Sequence, residues 1–312
     1  MADLIFSVNT VLPLFLIMAL GFVLKSRAFI SDAFVESGTA ICFYVALPCL
    51  LFLNIIHSDF SEAFDTPLIL LCAGGLLISA ALLQLLTPRF IRSVYTSSAF
   101  IQTSFNSNHV LLGLPFIYNL AGSAGLTKAG ATFAFTVPIC NILAVLMLAK
   151  NKRQGSNKQM LLANIVKNPL IIAALLAVLG SLLSIRLPLL LERSLTYLSD
   201  MAMPLALFTL GASVHFQGEA KKLRLAASSA VLKLTLIPLI AVLVAVKLGF
   251  NPVQMAVTLA VFAGPPAVSC FPMAFQMGAD QQLTSQAIVV GTGLSAITMF
   301  AFVFILRVLG LV

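Results

Sequence analysis

Charge is what this chain has least of. Asp, Glu, Lys and Arg together make up 9% of 312 residues, 60% are hydrophobic, and the mean hydropathy is +1.08. No stretch is long or polar enough to form a soluble domain, so the composition is that of an integral membrane protein. The five cysteines, Cys42, Cys49, Cys72, Cys140 and Cys270, all fall in apolar runs and none forms a Cys-x-x-Cys pair, which reads as buried thiols. His57 and His215 stand too far from any partner in sequence for a metal motif, so neither metal nor cofactor is expected. The chain lacks Gly-x-x-x-x-Gly-Lys-Ser/Thr, which argues against transport driven by its own ATP hydrolysis. It also lacks His-Glu-x-x-His and Gly-x-Ser-x-Gly, and its Asp and Glu lie almost entirely at loops, which argues against an intramembrane enzyme.

What is present is a series of apolar runs, at 4–25, 34–56, 67–87, 95–120, 126–149, 161–184, 194–214, 225–247, 253–277 and 283–309. They are continuous rather than alternating, which predicts ten membrane helices in one domain and not a barrel. Lys25 and Arg27 follow the first run and Asp3 precedes it, the order of a first span with its N-terminus outside rather than of a signal peptide. With both termini non-cytoplasmic, twelve cations fall inside: Lys25, Arg27, Arg89, Arg92, Lys150, Lys152, Arg153, Lys158, Lys167, Lys221, Lys222 and Arg224. Five fall outside, Lys128, Arg186, Arg193, Lys247 and Arg307, beside a second loop that carries only acids, Asp59, Glu62 and Asp65. The net charge of +8 is therefore a topology signal, the expected location is the bacterial inner membrane, and no nucleic-acid partner is expected.

The chain also resembles itself. Pro13 and Pro169, Glu36 and Glu192, and Pro48 and Pro204 are pairs separated by 156 residues, and Pro115 and Pro272 by 157. ALPCLLF at 46–52 matches AMPLALF at 202–208, and GLPFIYNLAG at 113–122 lies over CFPMAFQMGA at 270–279. Two repeats of five spans, about 1–149 and 161–312, follow, and an odd number of spans inverts the second copy. In that plan the fourth helix of each repeat is often broken near the midplane. Span 4 carries Asn106, Ser107, Asn108 and His109 before Gly113 and Pro115, and span 9 carries Gly264, Pro265, Pro266, Ser269 and Pro272. Proline removes a donor and collides with the preceding turn, while Asn and Ser can satisfy the groups set free. Freed N–H groups suit a carboxylate.

These motifs, Asn-x-x-x-x-Gly-x-Pro at 108–115, GPPAVSCFPMAFQMGAD at 264–280, MPLALFTLGASV at 203–214 and GTGLSAIT at 291–298, resemble the auxin efflux carrier family in its short bacterial form. The similarity spans essentially the whole chain. It implies a scaffold of helices 1, 2, 6 and 7, a transport unit of helices 3–5 and 8–10, elevator-like movement between them, and organic anions as substrates, auxin in plants and malonate or malate in some bacterial relatives. The long central loop of the plant members is replaced by KNKRQGSNKQ, and His109 stands where a small or hydroxyl residue is expected.

Within the implied transport unit, residues 66–149 and 224–312, the only carboxylate is Asp280, and a crossing without acids suits an anion better than a cation. Lys233, about 12 Å into span 8 by helical rise, reads equally as a snorkelling anchor or as a fixed counter-charge near the crossing. Asp200 in span 7 faces either the solute path or another helix. His109 either couples transport to protons or bonds to nearby backbone. The expected substrate site is Asn108, His109, Gly113, Pro115, Gly264, Pro265, Pro266, Ser269, Lys233 and Asp200. Secondary transport of a mono- or dicarboxylate is the leading expectation. A symporter of the bile-acid/sodium type and a solute sensor that does not transport are the alternatives. The expected partners are the small organic anion and the lipid bilayer, with a second copy of the chain as a candidate.

Overall fold

The computed structural model describes residues 13, 16–56, 65–149, 167–183, 185, 187–213 and 220–312. The first part of span 1, His57 with the acids Asp59 and Glu62, the stretch from Lys150 to Lys158 with the start of span 6, Arg186 and His215 lie outside the described residues.

Among the described residues the regular structure is helical, apart from one isolated bridge between Ser107 and Pro266. Helix α1 spans Leu16–Ser26, α2 Asp32–Ile41 and α3 Leu47–Ile56, with a π turn at Cys42–Ala46 joining the last two. Helix α4 is Thr66–Phe90, α5 Val94–Phe105 and α6 Leu114–Leu148. Next come α7 at Pro169–Leu182, α8 at Leu189–Asp200 and α9 at Ala202–Ser213. Helix α10 is Ala220–Val231 and continues through a π turn at Leu232–Leu236 into α11 at Ile237–Lys247. Helices α12 at Pro252–Ala263, α13 at Cys270–Gln276 and α14 at Gln281–Val308 complete the chain. Six helical stretches among the described residues are long and apolar enough to cross a membrane: Asp32–Leu53, Thr66–Phe90, Phe116–Leu148, Leu189–Ser213, Ala220–Lys247 and Gln281–Val308.

Of the ten expected runs, those at 95–120 and 253–277 are interrupted, which is why neither is a full-length span on its own. The boundary between runs 4 and 5 is a single residue. Gly122 adopts φ +60° and ψ −151° inside α6, a conformation open almost only to glycine, and divides it into two arms.

The distribution of polarity is that of a protein solvated by lipid. Leu70, Leu190 and Phe304 point outward at 66%, 78% and 59% exposure, while Thr103, Ser104, Thr258, Thr284 and Ser285 are fully buried. In hydrocarbon there is little hydrophobic force between helices, so close packing and buried hydrogen bonds hold them together. Helix α7 lies along α3, and α1 crosses α9 so closely that a Cβ on Gly21 would meet the Phe208 carbonyl and one on Gly211 the Met18 backbone. Helices α4, α6 and α12 pack together, as do α5, α10 and α14.

Candidate solute site at a helix crossing

Two short helices run toward each other and stop. Helix α5 is capped by Ser93, whose Oγ accepts from the Thr96 amide, and it ends at Phe105. Helix α12 begins with a reciprocal cap between Asn251 and Gln254 and ends at Ala263, because Pro265 and Pro266 cannot donate to a continuing helix. Beyond each end the backbone is extended: Asn106 has ψ 120° and Gly264 ψ 148°. The two extended segments pair antiparallel. The Asn108 amide donates to Pro265 O at 2.9 Å, the Ala267 amide to Asn106 O at 3.2 Å, and Ser107 Oγ to Gly264 O at 3.5 Å. The chain then resumes as helix, through a π turn at His109–Gly113 on one side and after Ser269 on the other. Each break thus supplies partners that the other lacks, which is how buried non-helical backbone is tolerated.

Against the crossing lies a cavity of about 80 Å³. Asn106, Ser107, Asn108 and His109 line one part of it, Val137, Cys140 and Asn141 another, and Ala267, Val268 and Ser269 a third. The opposite wall comes from α3 (Leu47, Leu50 and Leu51), Leu170 of α7, and α9 (Ala202, Met203 and Ala206). No acid lines it. Asn106 and His109 are 3% and 4% exposed, and Asn106 Nδ2 and His109 Nε2 have no hydrogen-bond partner among the described residues. The His109 ring sits 5.5 Å from that of Phe133, at 60°. A buried polar group without a partner costs about 1–3 kcal/mol, and both of these nitrogens belong to residues of the cavity wall, where a ligand reached by a turn of the side chain would relieve that cost.

The expected site residues divide by position. Asn108, His109 and Ser269 are in the cavity wall. Gly264, Pro265 and Pro266 are buried in the paired segments behind it, and Gly113 is packed near Ala260 and Phe133. Pro115 is the second residue of α6, and nothing is described of its side chain. Lys233 is fully buried, but its Nζ donates to Phe262 O at 2.9 Å and it is not in the wall. That carbonyl lies in the last turn of α12, so the Lys233 amino group satisfies an acceptor that the end of the helix leaves free. Asp200 is exposed at the end of α8, two and three residues before the wall residues Ala202 and Met203.

Asn106 and Asn141 were not among the expected site residues. Asn141 is an isolated amide in an apolar run, which is a sequence signal in itself. The leucines of α3 carry no such signal, because an apolar wall residue is indistinguishable from core until the helices are packed.

The sequence profile described as membrane transport protein matches residues 6–303. A protein of Methanothermobacter thermautotrophicus described as an uncharacterized transporter is 26% identical over 299 residues, covering 94% of this chain and 96% of that one. With the profile spanning nearly the whole chain, helices of membrane-crossing length, and a paired helix break where the motifs lie, the chain belongs to the membrane transport protein family, the auxin efflux carrier family that its motifs resemble.

Proposed function

We propose that the chain is a secondary transporter of small organic anions, with the solute's carboxylate bound at the crossing. One observation carries this reading: among the described residues no acid lines the cavity, and two of the residues that do, Asn106 and His109, hold side-chain nitrogens, Nδ2 and Nε2, that are buried without a partner. A carboxylate satisfies both, whereas a cation would find no counter-charge among the lining residues and would face the buried Lys233 behind them. The cavity lies between α3, α7 and α9 on one side and the crossing helices on the other. This suits an elevator in which spans 3–5 and 8–10 of the ten expected runs carry the crossing past a scaffold of spans 1, 2, 6 and 7, to which α3, α7 and α9 belong, the two groups being built from inverted repeats. Small residues on the facing surface, Ala202 and Ala206, favour such sliding.

Counterflow in proteoliposomes tests the reading. Labelled malonate or malate should accumulate transiently against unlabelled acid inside, and a labelled organic cation should not. Binding without exchange would make the protein a solute sensor. No response to any mono- or dicarboxylate would end the anion assignment. The charge distribution supports both termini on the non-cytoplasmic side of an inner membrane, and a reporter fused at Val312 that behaved as cytoplasmic would overturn that arrangement.

A further inference from the structure

The two half-helices that reach the crossing are each held at the far end by the same three-part joint. Asp65 caps α4, with Oδ1 accepting from the Leu68 amide at 3.2 Å. Its Oδ2 accepts from Lys128 Nζ of α6 at 2.7 Å and from Gln254 Nε2 of α12 at 2.8 Å. At the opposite end of the bundle, Asp280 caps α14, with Oδ1 accepting from the Leu283 amide at 3.1 Å. Its Oδ2 accepts from Thr96 Oγ1 of α5 at 3.1 Å and lies 3.4 Å from Lys222 Nζ of α10. Gln254 and Thr96 are each the third residue of their half-helix, and each lies ten residues before the extended residue that follows it, Gly264 and Asn106. Ten residues of helix are about 15 Å.

The joints are alike in their parts and opposite in their polarity. In one, the first of the two long helices brings the acid and the later one the lysine, α4 and α6. In the other, α10 brings the lysine and α14 the acid. Surface ion pairs contribute little, but the carboxylates here are only 9% exposed, against 32% and 29% for the lysines. Burial pulls the Asp65 carboxyl upward, and hydrogen bonds from Lys128, Gln254 and the Leu68 amide outweigh it, holding the group below the ordinary carboxylate range.

We propose that Asp65 and Asp280 are positioning residues for the crossing: each grips the outer end of one half-helix and, through its rigid length, sets where that half-helix delivers its extended segment to the solute cavity. This rests on reading the crossing as the solute site, and the test separates the two ideas. Asp65→Asn and Asp280→Asn are the variants, because Asn Oδ1 caps a helix as well as Asp does, while the NH2 that replaces Oδ2 can accept from neither the lysine nor the half-helix residue. Amide hydrogen exchange of the full-length protein in nanodiscs follows the two cross-segment bonds, those of the Asn108 and Ala267 amides. In each variant these amides should exchange about ten-fold faster, with amides of α2 and α3 unchanged, and malonate uptake should show a raised KM. Asp32→Asn, which breaks the exposed Lys25–Asp32 pair, should leave both amides as they were. Unchanged exchange at both amides in both variants would overturn the positioning role. So would equal acceleration throughout the protein, which is general loosening. Local acceleration with unaltered malonate KM and rate would keep the joints and remove the solute from the crossing.

Discussion

The two segments that meet at the crossing do different work. The first, Asn106 to His109, is polar, and its side chains line the cavity. The second, Gly264 to Pro266, has no polar side chain, and what it contributes is backbone: Pro265 O accepts the Asn108 amide, Gly264 O accepts Ser107 Oγ, and the prolines present no donors that would need satisfying. A symmetric-looking break is therefore split into a chemical arm and a geometric arm. The lesson is that related helix breaks in one chain need not contribute equally to a cavity: the first supplies four polar side chains, while the second supplies backbone acceptors and, past its prolines, Ser269 as its one polar wall side chain.

The largest effect should come from the chemical arm. Asn108→Ala keeps the pairing, since that uses the backbone amide, but removes the side chain from the wall; malonate affinity should fall about ten- to a hundred-fold, with folding and insertion intact by size exclusion. Equal loss from a change confined to the second arm would dissolve the comparison. Gly291→Ala supplies that change. A Cβ there would stand 2.5 Å from Pro266 Cδ and 2.9 Å from Cγ, and a proline ring cannot swing aside. The cost should be about 1–3 kcal/mol of stability, read as a lowered Tm, with only a several-fold loss of affinity. Lys233→Met sharpens the division further by removing charge without touching the wall. Affinity should drop a few-fold, more for a dianion than for a monoanion; an unchanged ratio would mean that the cavity does not feel the ammonium. Asp200→Asn is the smallest: exposed and outside the wall, it should leave affinity within about two-fold.

How much of this was readable beforehand follows from the range of each interaction. The breaks were legible because proline and glycine act locally: Pro265 and Pro266 end α12 whatever lies around them. The scarcity of acids and the apolar runs were legible because composition alone carries them. The pairing of Asn108 with Pro265 joins residues 157 apart, and nothing in either segment names the other. Lys233 was visible as a costly charge, but its partner is a main-chain carbonyl, which every residue possesses, so the sequence left anchor and counter-charge equally open. The corner at Gly122 was legible in place, because it falls between the runs ending at 120 and starting at 126, but not as a single residue within continuous helix, and the π turns in α2–α3 and α10–α11 have no residue signature at all.

The glycine contact between α1 and α9 has a consequence for how the protein is made. Gly21 and Gly211 bring the two backbones together, yet they are 190 residues apart, and α7 packs in the same way on the much earlier α3. At ordinary synthesis rates of about 5–20 residues per second, α1 waits on the order of ten seconds or more in the bilayer before its partner leaves the ribosome. Neither half of the chain closes its own packing, so the halves cannot mature one after the other. Residues 1–149 made alone should be degraded, and the same fragment made together with residues 150–312 should be rescued, because the nascent first half is completed only by the arrival of the second.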